Sequence, residues 1–129
     1  MGYLLKHVYA RFQAIQHEEL SPLGLNGRTL AVLAEAAEDV PILQQRIGER
    51  LGVDRTTMVA LIDSLEAAGF VERRSDPNDR RSRLVHVTPA GKKALVDGLQ
   101  ASERAEKAFL EPLDASQRES FRNIAAQLI

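Results

Sequence analysis

The chain of 129 residues contains no cysteine and no tryptophan, and its only aromatics besides histidine are two tyrosines and four phenylalanines. Without cysteine there is no disulfide framework, no thiol-oxidation switch and no thiolate metal site. No apolar run approaches the roughly 18 residues that a membrane span requires. The start, Met1-Gly2-Tyr3-Leu4-Leu5-Lys6, runs straight into an amphipathic pattern and lacks a signal-peptide cleavage site, so a cytoplasmic chain without a membrane partner is expected. His7, His17 and His86 are scattered without ligand spacing, which argues against a metal site. There is no glycine-rich phosphate loop, nucleophile elbow or convincing acid–base pair, so neither an enzyme nor a bound cofactor is expected. What remains is an ordinary composition, 44% hydrophobic and 27% charged, with room for one domain and a modest core.

An excess of charge of one sign is also missing overall: 17 lysines and arginines face 18 acids, a net charge of −1. The balance is uneven along the chain. Between Arg73 and Lys93 stand Arg73, Arg74, Arg80, Arg81, Arg83, Lys92 and Lys93 against Asp76 and Asp79, while Glu18, Glu19, Glu35, Glu38 and Asp39 lie elsewhere. Local field, not total charge, governs attraction to nucleic acid. On charge alone, a DNA-facing patch and a solvated basic loop are equally good readings.

Periodicity divides the chain into helices and one hairpin. Leu5, Val8, Phe12 and Ile15 mark one face of a helix over residues 3–20, which Ser21-Pro22-Leu23-Gly24 breaks. Asn26 can cap a second helix with Leu30, Leu33, Ala34 and Ala37 on one side, ended by Glu38-Asp39-Val40-Pro41. A third helix is expected over 43–51, stopped by Gly52, and a fourth over 55–68, capped by Asp54 and stopped by Gly69, with Met58, Leu61, Ile62 and Leu65 inward. Short strands at 70–73 and 84–87 flank a charged loop over 75–82. Thr88, with Pro89 at the first helical position, opens a fifth helix that carries Leu95, Leu99, Ser102 and Ala105 inward to about Phe109. Asp114 caps the last helix, whose face is Phe121, Ile124 and Leu128. The expected fold is mainly α with a small β-hairpin, in the order α-α-α-α-β-β-α-α.

The third and fourth helices are joined only by Gly52-Val53-Asp54, a turn short enough to force the crossing of a helix-turn-helix. A hairpin with an arginine-rich tip directly after it makes a winged helix-turn-helix. Arg55, Thr56 and Thr57 open the second helix of the pair, where hydroxyls, free N–H groups and the positive dipole end favour phosphate; alternatively, either threonine merely completes the cap.

Two stretches make the match specific. Leu51-Gly52-Val53-Asp54-Arg55-Thr56-Thr57, followed by Leu65-Glu66-Ala67-Ala68-Gly69-Phe70-Val71-Glu72-Arg73, closely resembles the recognition helix and first wing strand of MarR-type regulators. Asp76-Pro77-Asn78-Asp79-Arg80-Arg81-Ser82-Arg83 and Val87-Thr88-Pro89-Ala90-Gly91 resemble the wing signature of that family. The resemblance implies a transcriptional regulator that binds double-stranded DNA. It implies that Arg81 enters a minor groove, where concentrated negative potential attracts arginine, with Asp79 orienting its guanidinium. Arg80 and Arg83 would meet phosphates, whereas Arg73 and Arg74 equally suit pairing with Asp or Glu inside the fold. The chain departs from the family at Val59-Ala60, where a hydroxyl and then a basic residue are common, and at Leu43, where serine or threonine is common. Val59 is therefore expected against a thymine methyl, with more of the affinity resting on the wing and on groove shape.

Leu5, Val8, Phe12 and Ile15 at one end, with Phe121, Ile124, Leu128 and Ile129 at the other, exceed what one small core can cover. Burial in a two-fold homodimer solves this and agrees with how the family is built; packing of both end helices within one chain is the alternative. The domain would then be single over 1–129, with a DNA-binding lobe at about 26–90 and dimerisation helices at about 3–20 and 92–129. A dimer would present two recognition helices about one DNA turn, ~34 Å, apart on a pseudo-palindromic site. The resemblance further implies a ligand-responsive repressor released by a small aromatic or anionic effector, for which His7, Arg11 and Arg28 are candidates unless they simply face solvent. The competing reading is a winged-helix module that binds protein and lacks specific DNA binding.

Overall fold

The computed structural model describes residues 1–38 and 41–129. Asp39 and Val40, part of the expected terminator of the second helix, lie outside the described residues. The elements are α1 (Gly2–Leu20), a 3-10 turn (Ser21–Leu23), α2 (Gly27–Ala36), β1 (Ile42–Leu43), α3 (Gln44–Leu51), α4 (Arg55–Ala67), β2 (Val71–Asp76), β3 (Asp79–Val87), α5 (Pro89–Leu110) and α6 (Ala115–Gln127). The three strands form an antiparallel sheet in the order β1-β3-β2.

Local chemistry accounts for most boundaries. Asn26 and Thr29 form a reciprocal capping box, the Asn26 side chain accepting from the Thr29 N–H at 2.9 Å and the Thr29 hydroxyl from the Asn26 N–H at 2.8 Å. Asp114 and Gln117 repeat the device at α6. Thr88 caps α5 with Pro89 at its first position, as the sequence suggests.

The core joins α2, α3, α4, the base of the wing and the small-residue face of α5. Leu20, Val32, Leu33, Ile47, Ile62 and Val85 are fully buried in it. Helix α1 runs antiparallel to α5, with Arg11 bonded to the Phe109 carbonyl and Glu19 paired with Arg104. Where α1, α5 and α6 meet, Phe12 meets Phe109 edge to face and Phe109 meets Phe121 at a tilt, at ring-centroid separations of 5.3 and 6.1 Å.

Five expectations are corrected. Leu43 does not begin α3; with Ile42 it forms β1, paired with Val85 and Leu84, a strand too short to leave a periodicity. The expected loop 75–82 is mostly ribbon: β2 runs to Asp76, β3 starts at Asp79, and only Pro77-Asn78 intervene. In α2 the buried face is Thr29, Leu30, Val32, Leu33 and Ala36, with Ala34 and Ala37 half-buried. In α5 it is Gly91, Ala94, Gly98, Ala101 and Ala105, whereas Leu99 is exposed and Leu95 and Ser102 are half-buried. Small side chains there let α1 and α2 approach closely, and a Cβ on Gly98 would lie 2.7 Å from Leu30 Cδ1. Leu61 of α4 is likewise half-buried.

Candidate nucleic-acid interface

The turn between α3 and α4 depends on two glycines. Gly52 takes the left-handed conformation, φ 64°, and the Val53 N–H donates to the Gly48 carbonyl at 2.9 Å, closing the end of α3. Gly48, unnoticed in the sequence, allows the crossing itself. A Cβ there would meet Met58 Cγ at 2.9 Å and the Val53 carbonyl oxygen at 3.0 Å. The helices therefore touch where a larger residue would separate them.

Asp54 caps α4, accepting from the Thr57 N–H at 2.9 Å and from the Thr57 hydroxyl at 2.6 Å. The Thr57 hydroxyl bond, and then the Thr57 amide bond, hold the Asp54 carboxyl below its ordinary pKa. Thr57 thus completes the cap, while Arg55 and Thr56 are exposed beside it. Val59, one turn further, is 39% exposed and Ala60 is exposed next to it.

The hairpin stands beside this helix. Between them lies an open groove of about 970 Å³, with Gln44, Arg55 and Val59 on the helical side and Arg73, Asp79 and Arg81 on the wing side. Arg83 also lines it, and Arg80 is exposed at the tip. Among the described residues, the guanidinium groups of Arg55, Arg80 and Arg81 make no hydrogen bond or ion pair, whereas that of Arg83 donates to the Arg80 carbonyl at 3.1 Å. Asp79 does not hold the Arg81 guanidinium. Its carboxylate accepts from the Arg81 backbone N–H at 3.0 Å and from the Ser82 hydroxyl at 3.1 Å, so it shapes the tip instead.

The other two arginines of the hairpin are engaged. Arg74 pairs with Glu72 at 3.0 Å on an exposed strand. Arg73 is bound to three residues of α4 and to Gln44 of α3, a network of which the sequence offered only the pairing alternative.

The remaining candidates do not converge. His7 stacks on Tyr3 and bonds its carbonyl at 2.7 Å, Arg11 is tied to Phe109, and Arg28 lines a separate shallow cleft with Leu51, Val53 and Leu61. His17 is exposed on α1, and His86 is half-buried on β3 opposite Glu72. Leu5, Val8, Phe121, Ile124 and Leu128 are exposed in the protomer, and Phe12 is half-buried against Phe109. Among the described residues no helix is long and apolar enough to cross a membrane.

Two helices crossing at a glycine turn, followed directly by a basic two-stranded ribbon, define a winged helix-turn-helix protein. The family model described as "MarR family" matches residues 23–82. The chain is 30% identical over 95 residues, 74% of its length, to a putative transcriptional regulatory protein for the hcr operon of Thauera aromatica, and covers 57% of that protein. To the multiple antibiotic resistance protein MarR of Escherichia coli it is 31% identical over 70% of its length, covering 63% of that protein. It therefore spans less than two thirds of these relatives. A crystal structure of a probable transcriptional regulator from Pseudomonas aeruginosa superposes with a TM-score of 0.88 at 29% identity, over 100% of this chain and 96% of the other. The family model, these relatives and the solved structure all make the chain similar to MarR-type regulators, with the family match lying over residues 23–82.

Proposed function

We propose that the chain is a sequence-specific DNA-binding transcriptional regulator, acting as a homodimer on a pseudo-palindromic operator and released by a small-molecule effector. The observation that carries this is the groove. It sets the exposed start of α4, with Arg55 and Thr56, beside a wing on which Arg80 and Arg81 remain unpaired. Cations without protein partners beside a helix N-terminus suit a polyphosphate surface.

In this reading Arg55 and Thr56 meet the backbone and base edges at the start of the recognition helix, where Thr57, bonded to Asp54, holds the cap. Val59 packs on a thymine methyl, Arg81 enters the minor groove, and Arg80 and Arg83 neutralise phosphates, with Asp79 fixing the tip that carries them. The lobe at about 26–90 reads DNA, and residues 3–20 and 92–129 pair the subunits through Leu5, Val8, Phe12, Phe121, Ile124 and Leu128. The effector is an aromatic or anionic molecule, for which His7, Arg11 and Arg28, which lie apart in the protomer, are separate candidate contacts. The chain works in the cytoplasm and is a regulator, not an enzyme.

The test is to capture genomic DNA fragments on the purified chain and titrate the enriched sequence against salt. The expected result is a shared pseudo-palindrome whose log affinity falls linearly with log salt. No enriched sequence and a flat salt response would replace this reading with a protein-binding winged helix.

A further inference from the structure

Every nitrogen of the Arg73 guanidinium is used. Nη1 lies 2.6 Å from Asp63 Oδ1 and 3.3 Å from Glu66 Oε1, Nη2 donates to the Val59 carbonyl at 3.0 Å, and Nε donates to Gln44 Oε1 at 2.9 Å. The Arg73 backbone N–H adds a bond to Glu66 Oε2 at 2.9 Å. Only 18% of the side chain is exposed, the least of any arginine that forms an ion pair among the described residues.

The position of this residue along the hairpin gives the network its consequence. Beyond Arg73, the side-chain bonds of residues 74–83 stay within the hairpin: Arg74 with Glu72, Asn78 with Asp76, Arg81 and Ser82 with Asp79, and Arg83 with Arg80. The base of the ribbon is packed into the core through Val71 and Val85 and paired through β1 with β3; further out on β2, Arg73 is the outermost side chain that ties the ribbon to the helices. Beyond that point the two-stranded ribbon has no packing partner of its own, and an isolated hairpin is marginal at best.

We propose that Arg73 is a positioning residue, a clamp that fixes the wing against α4 so that Arg81 and the start of α4 meet one DNA duplex at a set spacing. The proposal rests on the DNA-binding reading for its consequence, though not for the clamp itself. Arg73 also changes what Asp63 does. This carboxylate lines the groove, where an unpaired acid would repel phosphates, and the guanidinium turns it into a strut. A planar fork is required, because the bonds run to four differently directed acceptors.

The sign of one substitution separates a clamp from bare charge. Asp63→Asn removes a negative charge from the DNA-facing groove, which by itself would raise affinity. The clamp predicts a loss on the order of tenfold, with the salt slope unchanged because no phosphate contact is removed. Arg73→Lys shifts affinity in the same direction, and Arg74→Met, which cuts only the exposed Glu72 pair, leaves it unchanged.

Wing position is read separately by electron-spin distance measurement. The absence of native cysteine allows labels at Asn78→Cys and Ser64→Cys, diluted with unlabelled chain. The distance distribution should widen with Asp63→Asn and Arg73→Lys and stay narrow with Arg74→Met, circular dichroism confirming that each variant is folded. An unchanged distribution, or a gain in affinity for Asp63→Asn, overturns the clamp. If the wild type binds no DNA, the regulatory reading fails, while the distance measurement still decides whether Arg73 holds the wing.

Discussion

The Thr88 hydroxyl donates a 2.6 Å hydrogen bond to the carbonyl of Gly69, so the residue that begins α5 also ties off the end of α4. The same hydroxyl accepts from the Gly91 N–H at 3.0 Å, and the Thr88 N–H donates to the Phe70 carbonyl at 3.0 Å. The two ends of the hairpin are drawn together there, and the Thr-Pro-Ala-Gly stretch acquires a structural reason.

Thr88→Val keeps the shape and removes both hydroxyl bonds. It is expected to destabilise the fold by about 1–2 kcal/mol, the range for a lost N-cap, as read by urea denaturation. Gly91→Ala is expected to destabilise it by roughly 1–3 kcal/mol, as for overpacking, because its Cβ would fall on the Phe70 carbonyl oxygen and within 2.8 Å of Val87 Cγ1. The first of those atoms is backbone and cannot swing aside. A wild-type denaturation midpoint in either variant would contradict this account of the hairpin base.

The lowered pKa of Asp54 gives a signed pH dependence. A carboxyl whose folded-state pKa is depressed contributes its stabilisation above the unfolded value, about 3.9, and loses it as pH falls through the folded value. Asp54→Asn retains a capping oxygen but cannot titrate. The difference in Tm between wild type and Asp54→Asn should therefore be constant from neutral pH to about the unfolded carboxylate value and shrink below it. A difference that grows on acidification would remove Asp54 from its role at the start of α4.

Caps and the helix-turn-helix were legible because their chemistry is local: Asn26, Asp54, Thr88 and Asp114 each act within three residues of themselves. The hairpin's length was not, because beyond Arg73 most of the ribbon is exposed on both faces and shows no alternation of apolar and polar residues. The inward face of α5 was misplaced for a different reason. Hydropathy favours Leu95 and Leu99, but close contact with α1 and α2 selects Ala94, Gly98, Ala101 and Ala105. Within the groove, the wing motif pointed to Arg81, whereas the Arg73 network joins partners as far as 29 residues apart and has no local signature.

The exposed Arg81 side chain makes no hydrogen bond or ion pair among the described residues, so its removal should cost the fold little. Arg81→Ala should weaken operator binding roughly tenfold or more, about 1.4 kcal/mol, and leave Tm unchanged. Fluorescence anisotropy and a thermal melt on the same sample supply both numbers. Equal affinity of variant and wild type would show that the wing does not touch DNA.

Leu5 is 60% exposed and Ile124 is 57% exposed, and neither belongs to the hydrophobic core. In an isolated protomer a glutamate at either position would meet water and cost little; across a subunit interface it would bury an unpaired charge. Leu5→Glu and Ile124→Glu should therefore convert a dimer into monomers with unchanged helical content, measured by light scattering and circular dichroism. Because a monomer presents one recognition helix to a two-fold site, both variants should also lose most of their operator affinity while retaining the salt dependence of nonspecific binding. A wild type that is monomeric at the concentrations of the binding assay would overturn the pairing of these faces, and both glutamate variants would then bind DNA like the wild type.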